Sequence, residues 1–139
     1  MNNNYKHSEL TEQIINAFYH VYNTLGYGFL EKVYENAMSI ELEKRALSVE
    51  LQKAITVYYD DKKVGQYFAD MFINKTIIVE LKASESLKKE HEYQLINYLK
   101  ATESEIGLLL NFGTTPQVKR RVFSNSKKRI RRTEGSNHN

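Results

Sequence analysis

The sequence predicts an α/β fold in which a mixed β-sheet is flanked by helices. Three features predict it: three segments with apolar residues at helical spacing, three consecutive β-rich stretches, and one mostly apolar run late in the chain. Leu10, Ile14, Ala17, Phe18, Val21 and Leu25 recur at intervals of three and four. They predict a helix from Ser8, a candidate N-cap, to Leu25, stopped at Gly26. After Gly26-Tyr27-Gly28 a second helix is expected over Leu30 to Arg45, with Leu30, Val33, Ala37 and Ile40 on its apolar face.

Val49 to Tyr59 is rich in strand formers, and Asp60-Asp61-Lys62-Lys63 is a polar turn. Val64 to Ile73 and Thr76 to Ala83 read as the next two strands, joined as a hairpin at Asn74-Lys75. Lys88 to Ala101 returns to helical spacing, with Leu95 and Leu99 apolar. Ile106 to Phe112 reads as a strand buried on both faces, and Val118 to Phe123 as one last strand. The order is α-α-β-β-β-α-β-β.

A chain of 139 residues is close to the commonest size for one domain and long enough to bury a core. Residues 1–124 are read as that domain. With no cysteine, disulfides and thiolate metal sites are excluded, which suits a reducing cytoplasm. No apolar signal region opens the sequence, and no run nears the roughly 20 residues of a membrane span. The expectation is a cytoplasmic protein with no membrane partner.

The net charge of +3 hides an asymmetry. Residues 1–118 carry a net −4 and residues 119–139 a net +7. Residues 125–139 are therefore expected to be a basic, disordered tail. Such arms meet nucleic acid by releasing counterions from phosphates. A solvated tail that aids solubility weighs equally on composition alone.

The strand Ile77-Ile78-Val79-Glu80-Leu81-Lys82 leads three apolar residues into an acid and a base. Glu80 and Lys82, two apart, share a strand face. Charges in an apolar strand are costly unless paired or bound to a metal. Asp70 interrupts another apolar run, Tyr67 to Ile73. If Ile73 pairs with Ile77, Asp70 lies opposite Glu80. If Ile73 pairs with Thr76, it faces Val79, because a one-residue slip flips every side chain. The chemistry thus demands an odd loop or a bulge. Two carboxylates offer hard oxygens to Mg²⁺, which keeps several waters, and Lys82 suits an attacking water or a phosphoryl oxyanion. An ordinary cross-strand ion pair competes with this reading. His7, His20, His91 and His138 are scattered and argue little for zinc.

Asp70, nine intervening residues and Glu80-Leu81-Lys82 resemble the signature of the PD-(D/E)XK nuclease superfamily. The α-β-β-β-α-β order from the second helix resembles its restriction-endonuclease-like core, with an extra N-terminal helix. Gly28-Phe29-Leu30-Glu31-Lys32-Val33-Tyr34 is similar to the motif of one branch, the Gly-x-x-Glu-x-x-Tyr (GxxExxY) family. Glu92 to Leu99 resembles the Gln-x-x-x-Tyr motif of RecB-like nucleases through Gln94 and Tyr98. The similarity covers about Leu10 to Phe123. One departure is Ala69, where a proline often precedes the first acid.

The resemblance implies that Asp70, Glu80 and the Leu81 carbonyl ligate Mg²⁺ or Mn²⁺ and that Lys82 is the catalytic lysine. Glu31 would be an acid supplied by the first core helix. Gln94 would position phosphate or water, with Tyr98 as its buttress. Tyr34 belongs to the motif without an assigned role. The implied function is a metal-dependent nuclease acting on DNA rather than RNA, with double-strand cleavage calling for a homodimer. The alternative is a non-catalytic module that binds nucleic acid or protein. A more remote one is a metal enzyme acting on another phosphorylated substrate.

Overall fold

The computed structural model describes residues 7–130. Helix α1 spans Ser8–Leu25 and α2 spans Glu31–Lys44. Strands β1 (Val49–Tyr59), β2 (Lys62–Ile73) and β3 (Ile77–Lys82) follow, then α3 (Lys89–Lys100), β4 (Ile106–Phe112) and β5 (Pro116–Val122). The five strands lie in one sheet in sequence order. Only the β3–β4 pair is parallel, with α3 as its crossover. This is the mixed, helix-flanked sheet that the sequence predicts.

The helices take opposite faces. Ile14, Ala17 and Phe18 of α1 and Tyr34, Met38 and Leu42 of α2 pack on Ile77, Val79 and Leu81 of β3. Leu95, Tyr98 and Leu99 of α3 pack on Ile78 and Leu109 from the other side. Every residue of β4 is buried, as expected of a central strand covered twice. Gly107 lets α3 sit close: a Cβ there would stand 2.6 Å from Leu95 Cδ1.

The α2 face departs from expectation. Leu30, Val33 and Ile40, expected inside, are 80%, 39% and 63% exposed. Tyr34, Met38 and Leu42 are buried instead. The Tyr34 ring stacks on Phe112 at 4.1 Å with 14° between planes, and Phe112 also meets Phe18 edge-on at 4.8 Å. This aromatic column fixes which stripe turns inward. The Tyr34 hydroxyl donates to Gly26 O at 2.6 Å and accepts from Phe29 N–H at 3.2 Å. The motif tyrosine thereby closes the loop that delivers Glu31.

Two smaller expectations change. Ser8 is not the N-cap of α1; His7 is, in a left-handed conformation (φ 55°), without a side-chain cap bond. The segment from Asn125 is not wholly without structure. Asn125–Lys127 form a 3₁₀ turn, and Lys128 Nζ donates to Thr102 O and Ser104 O at 2.7 and 2.6 Å. The expected tail's remainder, 131–139, lies outside the described residues.

The close approach at Gly107 generates a prediction. Gly107→Val should destabilise the fold by about 1–3 kcal/mol, the usual cost of overpacking. Adding Leu95→Ala should recover part of that loss, so that the two changes are not additive in denaturant unfolding. Strict additivity would mean the two residues do not meet.

Candidate active site

The turn between β2 and β3 sets the register. Ile73 pairs with Ile77, so the loop holds the odd number of residues required, Asn74 to Thr76. Thr76 N–H donates to Ile73 O at 2.9 Å. Asn74 and Lys75 both carry left-handed φ, of 50° and 52°, a conformation asparagine tolerates better than most. Asn74 also exchanges two bonds with Ser48: its N–H donates to Ser48 O, and its Oδ1 accepts from Ser48 N–H.

With this register Asp70 falls opposite Glu80, yet the backbone ladder stops one pair earlier, at Met71 and Val79. Side chains take over from there. Glu80 Oε2 accepts from Asp70 N–H at 2.7 Å, and Asp70 Oδ2 accepts from Leu81 N–H at 2.8 Å. The strands fork, and the two carboxylates cross the gap. The alternation of β2 reverses here too, for Ala69 joins the α3 cluster while Met71, two residues on, joins the α1–α2 cluster. Opposite the fork on β1, Gln52 has φ 54°, a strained value for a non-glycine strand residue. The pair therefore meets at a fork and not on one flat sheet face.

Both acids are short of positive charge. Burial, followed by the nearby Asp70 carboxylate, pushes Glu80 up to about 8. Burial also raises Asp70, with Glu35 and Glu31 adding to the effect. Lys82 opposes the shift at both acids without cancelling it. Glu80 is only 4% exposed.

Around the fork, Asp70 and Leu81 share a cleft of about 280 Å³ with Glu31, Glu35 and Gln52. Glu31, on the first turn of α2, is exposed at its rim. Lys82 lies within electrostatic reach of Asp70, Glu80 and His91. Tyr98 is buried on α3, and burial and the charges of Glu80 and Asp70 lift its hydroxyl to about 12. Gln94 lies elsewhere, in a separate cavity beside Tyr98 and Tyr67. A cavity of about 460 Å³ near Thr76 and Ser104 opens where β3 and β4 begin, away from these acids.

Two residues of the cleft escape sequence reading. Glu35 is buried, accepting from Lys32 Nζ at 2.8 Å and Gln52 Nε2 at 2.9 Å. Its one-turn spacing from Glu31 is a signal, but Gln52 becomes its neighbour only through the β1–β2 register. The loop after Lys82 is also held. Buried Asn111 accepts from Ser84 N–H at 3.0 Å and donates to Ser84 O at 2.9 Å and Gln117 Oε1 at 3.0 Å. Gln117 Oε1 in turn accepts from Leu87 N–H at 3.2 Å.

The donor set fits a hard divalent cation. Two neighbouring acids with raised proton affinity are stabilised when a dication replaces the proton. Among the described residues no three acidic or histidine side chains gather closely enough to hold an ion alone. Any divalent ion here would therefore rest on the two carboxylates, with backbone oxygen or water completing its shell.

Comparison with known proteins bears on most of the chain. No curated protein matches it. The crystal structure of SSO0001 superposes with a TM-score of 0.56 at 22% identity, over 87% of this chain and 61% of that one. The chain thus spans about three fifths of that protein, and the likeness concerns the fold alone. A family model described as the PD-(D/E)XK nuclease superfamily matches residues 8–122, from the first turn of α1 to the end of β5. That stretch contains the forked strands, both acids and the lysine, and the chain belongs to the PD-(D/E)XK nuclease superfamily.

Proposed function

We propose that the protein is a divalent-metal-dependent nuclease that hydrolyses phosphodiester bonds in DNA, and that it falls in the Gly-x-x-Glu-x-x-Tyr branch of its superfamily. One observation carries the reading: a buried carboxylate, Glu80, and a half-buried one, Asp70, both of raised proton affinity, meet at a strand fork beside Lys82. Members of the superfamily generally use divalent metals.

Asp70, Glu80 and the Leu81 carbonyl would hold Mg²⁺, with Mn²⁺ able to substitute. Bound there, the cation would offset charge on the scissile phosphate and acidify a water. Lys82 contributes a cation that orients the attacking water and stabilises the phosphoryl oxygens as their charge grows. Glu31 stands at the cleft rim, where it can accept a hydrogen bond from a water in the metal's outer shell. Gln94 positions substrate from α3, and Tyr98 packs between that helix and the carboxylates. Tyr34 holds the Gly26–Phe29 loop and so the start of α2. The basic stretch Lys119 to Arg121, together with Lys127 to Arg129, supplies charge for the phosphate backbone. Cutting both strands of a duplex would require two copies.

Cleavage of DNA should require Mg²⁺ or Mn²⁺ and disappear with a chelator. Asp70→Asn and Lys82→Met should each lower the rate by at least about 100-fold, the scale on which loss of one electrostatic partner acts. Gel assays on DNA and RNA of equal length would show it. Cleavage surviving both substitutions removes the site assignment, whereas binding without cleavage supports the non-catalytic alternative.

Glu80 makes the metal-free protein sensitive to pH. Between about 4.5 and about 8 the native state keeps a proton that the unfolded chain has released, so stability falls as pH rises through this window. The Asp70 shift acts in the same direction. Denaturant midpoints in a chelator should decline from pH 5 to pH 8, and Glu80→Gln should flatten the decline. Added Mg²⁺ should restore stability most at the alkaline end, where no proton need be displaced. Constant stability of the wild-type protein across the window would contradict the shift.

A further inference from the structure

We propose that the cavity between α3 and the β1–β2 hairpin receives one unpaired nucleobase of the substrate strand. This inference rests on the nuclease reading and narrows its substrate to DNA with single-stranded character. The cavity measures about 430 Å³, within the size range of small-ligand sites. Val57 and Tyr67 of the hairpin, and Tyr93, Gln94, Asn97 and Tyr98 of α3, line it.

Its aromatic wall includes Tyr98, the one lining residue that senses the carboxylates. The Tyr98 ring lies 5.9 Å from Tyr67 at a tilt of 44°. Tyr98 itself is buried and feels the charges of Glu80 and Asp70. Tyr67 and Tyr93 are 50% and 59% exposed. Each presents a large, flat ring to solvent, where it is free to stack on a base. Tyr67 and Tyr98 thus pair in the cavity wall, and Tyr93 adds a third ring to its lining.

The polar groups suit the same occupant. Gln94 and Asn97, about one helical turn apart, offer carboxamides that both donate and accept. Such groups hydrogen-bond the edge of any base, so the subsite tolerates all four. Charge for a neighbouring phosphate comes from one side, where exposed Lys127 and Arg129 precede Ile130, which forms part of the cavity wall. The hairpin's tip is balanced, with Asp60 and Asp61 beside Lys62 and Lys63, and Glu90 sits on the cavity's lining. A base inside a duplex is stacked and paired, and extracting it costs a few kcal/mol. The subsite therefore favours single strands, flaps and frayed ends.

The test is binding by the full chain to a 12-nucleotide single strand carrying 2-aminopurine and to a hairpin duplex of the same sequence. It is run without magnesium, with and without calcium, so that no cleavage is needed. Tyr67→Leu and Tyr93→Leu keep an apolar side chain but remove the ring, and Tyr67→Phe and Tyr93→Phe keep it. Each leucine variant should lose about tenfold or more of its single-strand affinity, the scale of one lost stack. The phenylalanine variants should stay within about twofold of wild type and retain 2-aminopurine quenching, and duplex binding should not change. Leucine variants that bind like wild type, or lose both substrates alike, overturn the subsite. A parallel cleavage assay with magnesium separates the two ideas. Ring-dependent binding without cleavage removes the nuclease and keeps the subsite. Cleavage of single strands undiminished in the leucine variants removes the subsite and keeps the nuclease. Absence of binding to either oligonucleotide overturns both.

Discussion

The structure turns on a pair of crossed hydrogen bonds. Where β2 and β3 part, Glu80 accepts from the Asp70 amide and Asp70 accepts from the Leu81 amide. Each carboxylate satisfies a backbone donor that the interrupted ladder would leave unpaired, which is what makes the fork tolerable in a buried place. The arrangement also confines two acids, Glu80 buried and Asp70 half-buried, with insufficient positive charge around them. Proton uptake partly relieves the conflict, and a dication relieves it more fully. Stability and chemistry pull against each other at this point, as they commonly do where strained or charged groups are held for use.

The remaining architecture serves to present groups to that fork from two sides. From one face α2 brings Glu31 and Glu35, held in place by the Tyr34–Phe112 stack and the tyrosine's grip on the Gly26–Phe29 loop. From the other face α3 brings Tyr98, and with it Gln94. The Arg121–Glu92 ion pair ties α3 to β5, and the Asn111–Ser84–Gln117 network ties down the loop between Lys82 and α3. Rigid elements thus hold the groups, which is how a site keeps its geometry without substrate.

Much of this was legible in advance, because the informative features were local. Helix α1 and strands β3 and β4 follow directly from apolar periodicity, and the Asp70–Glu80 alignment follows from the parity of one loop. What stayed hidden depends on partners far away in the chain. Helix α2 bears two apolar stripes, one through Leu30, Val33 and Ile40 and one through Tyr34, Met38 and Leu42. Only the placement of Phe112 decides between them. Glu35 looks like a surface acid until Gln52 is brought across from β1. The reversal of alternation at Ala69 and Met71 has no sequence signal, since period-two patterning assumes an unbroken ladder. Gln94 shares with Tyr98 the cavity between α3 and the hairpin, a neighbourhood that helical spacing alone does not reveal.

The three-residue connection from Asn74 to Thr76 carries a final implication. Most hairpin tips are where evolution and engineering freely add or remove residues, because little depends on them. This tip acts as a ruler. Gaining or losing a single residue there would rotate one acid to the far side of the sheet while leaving every helix in place. Among relatives of this chain, a length change at that tip would mark a copy that has kept the fold and parted the two acids.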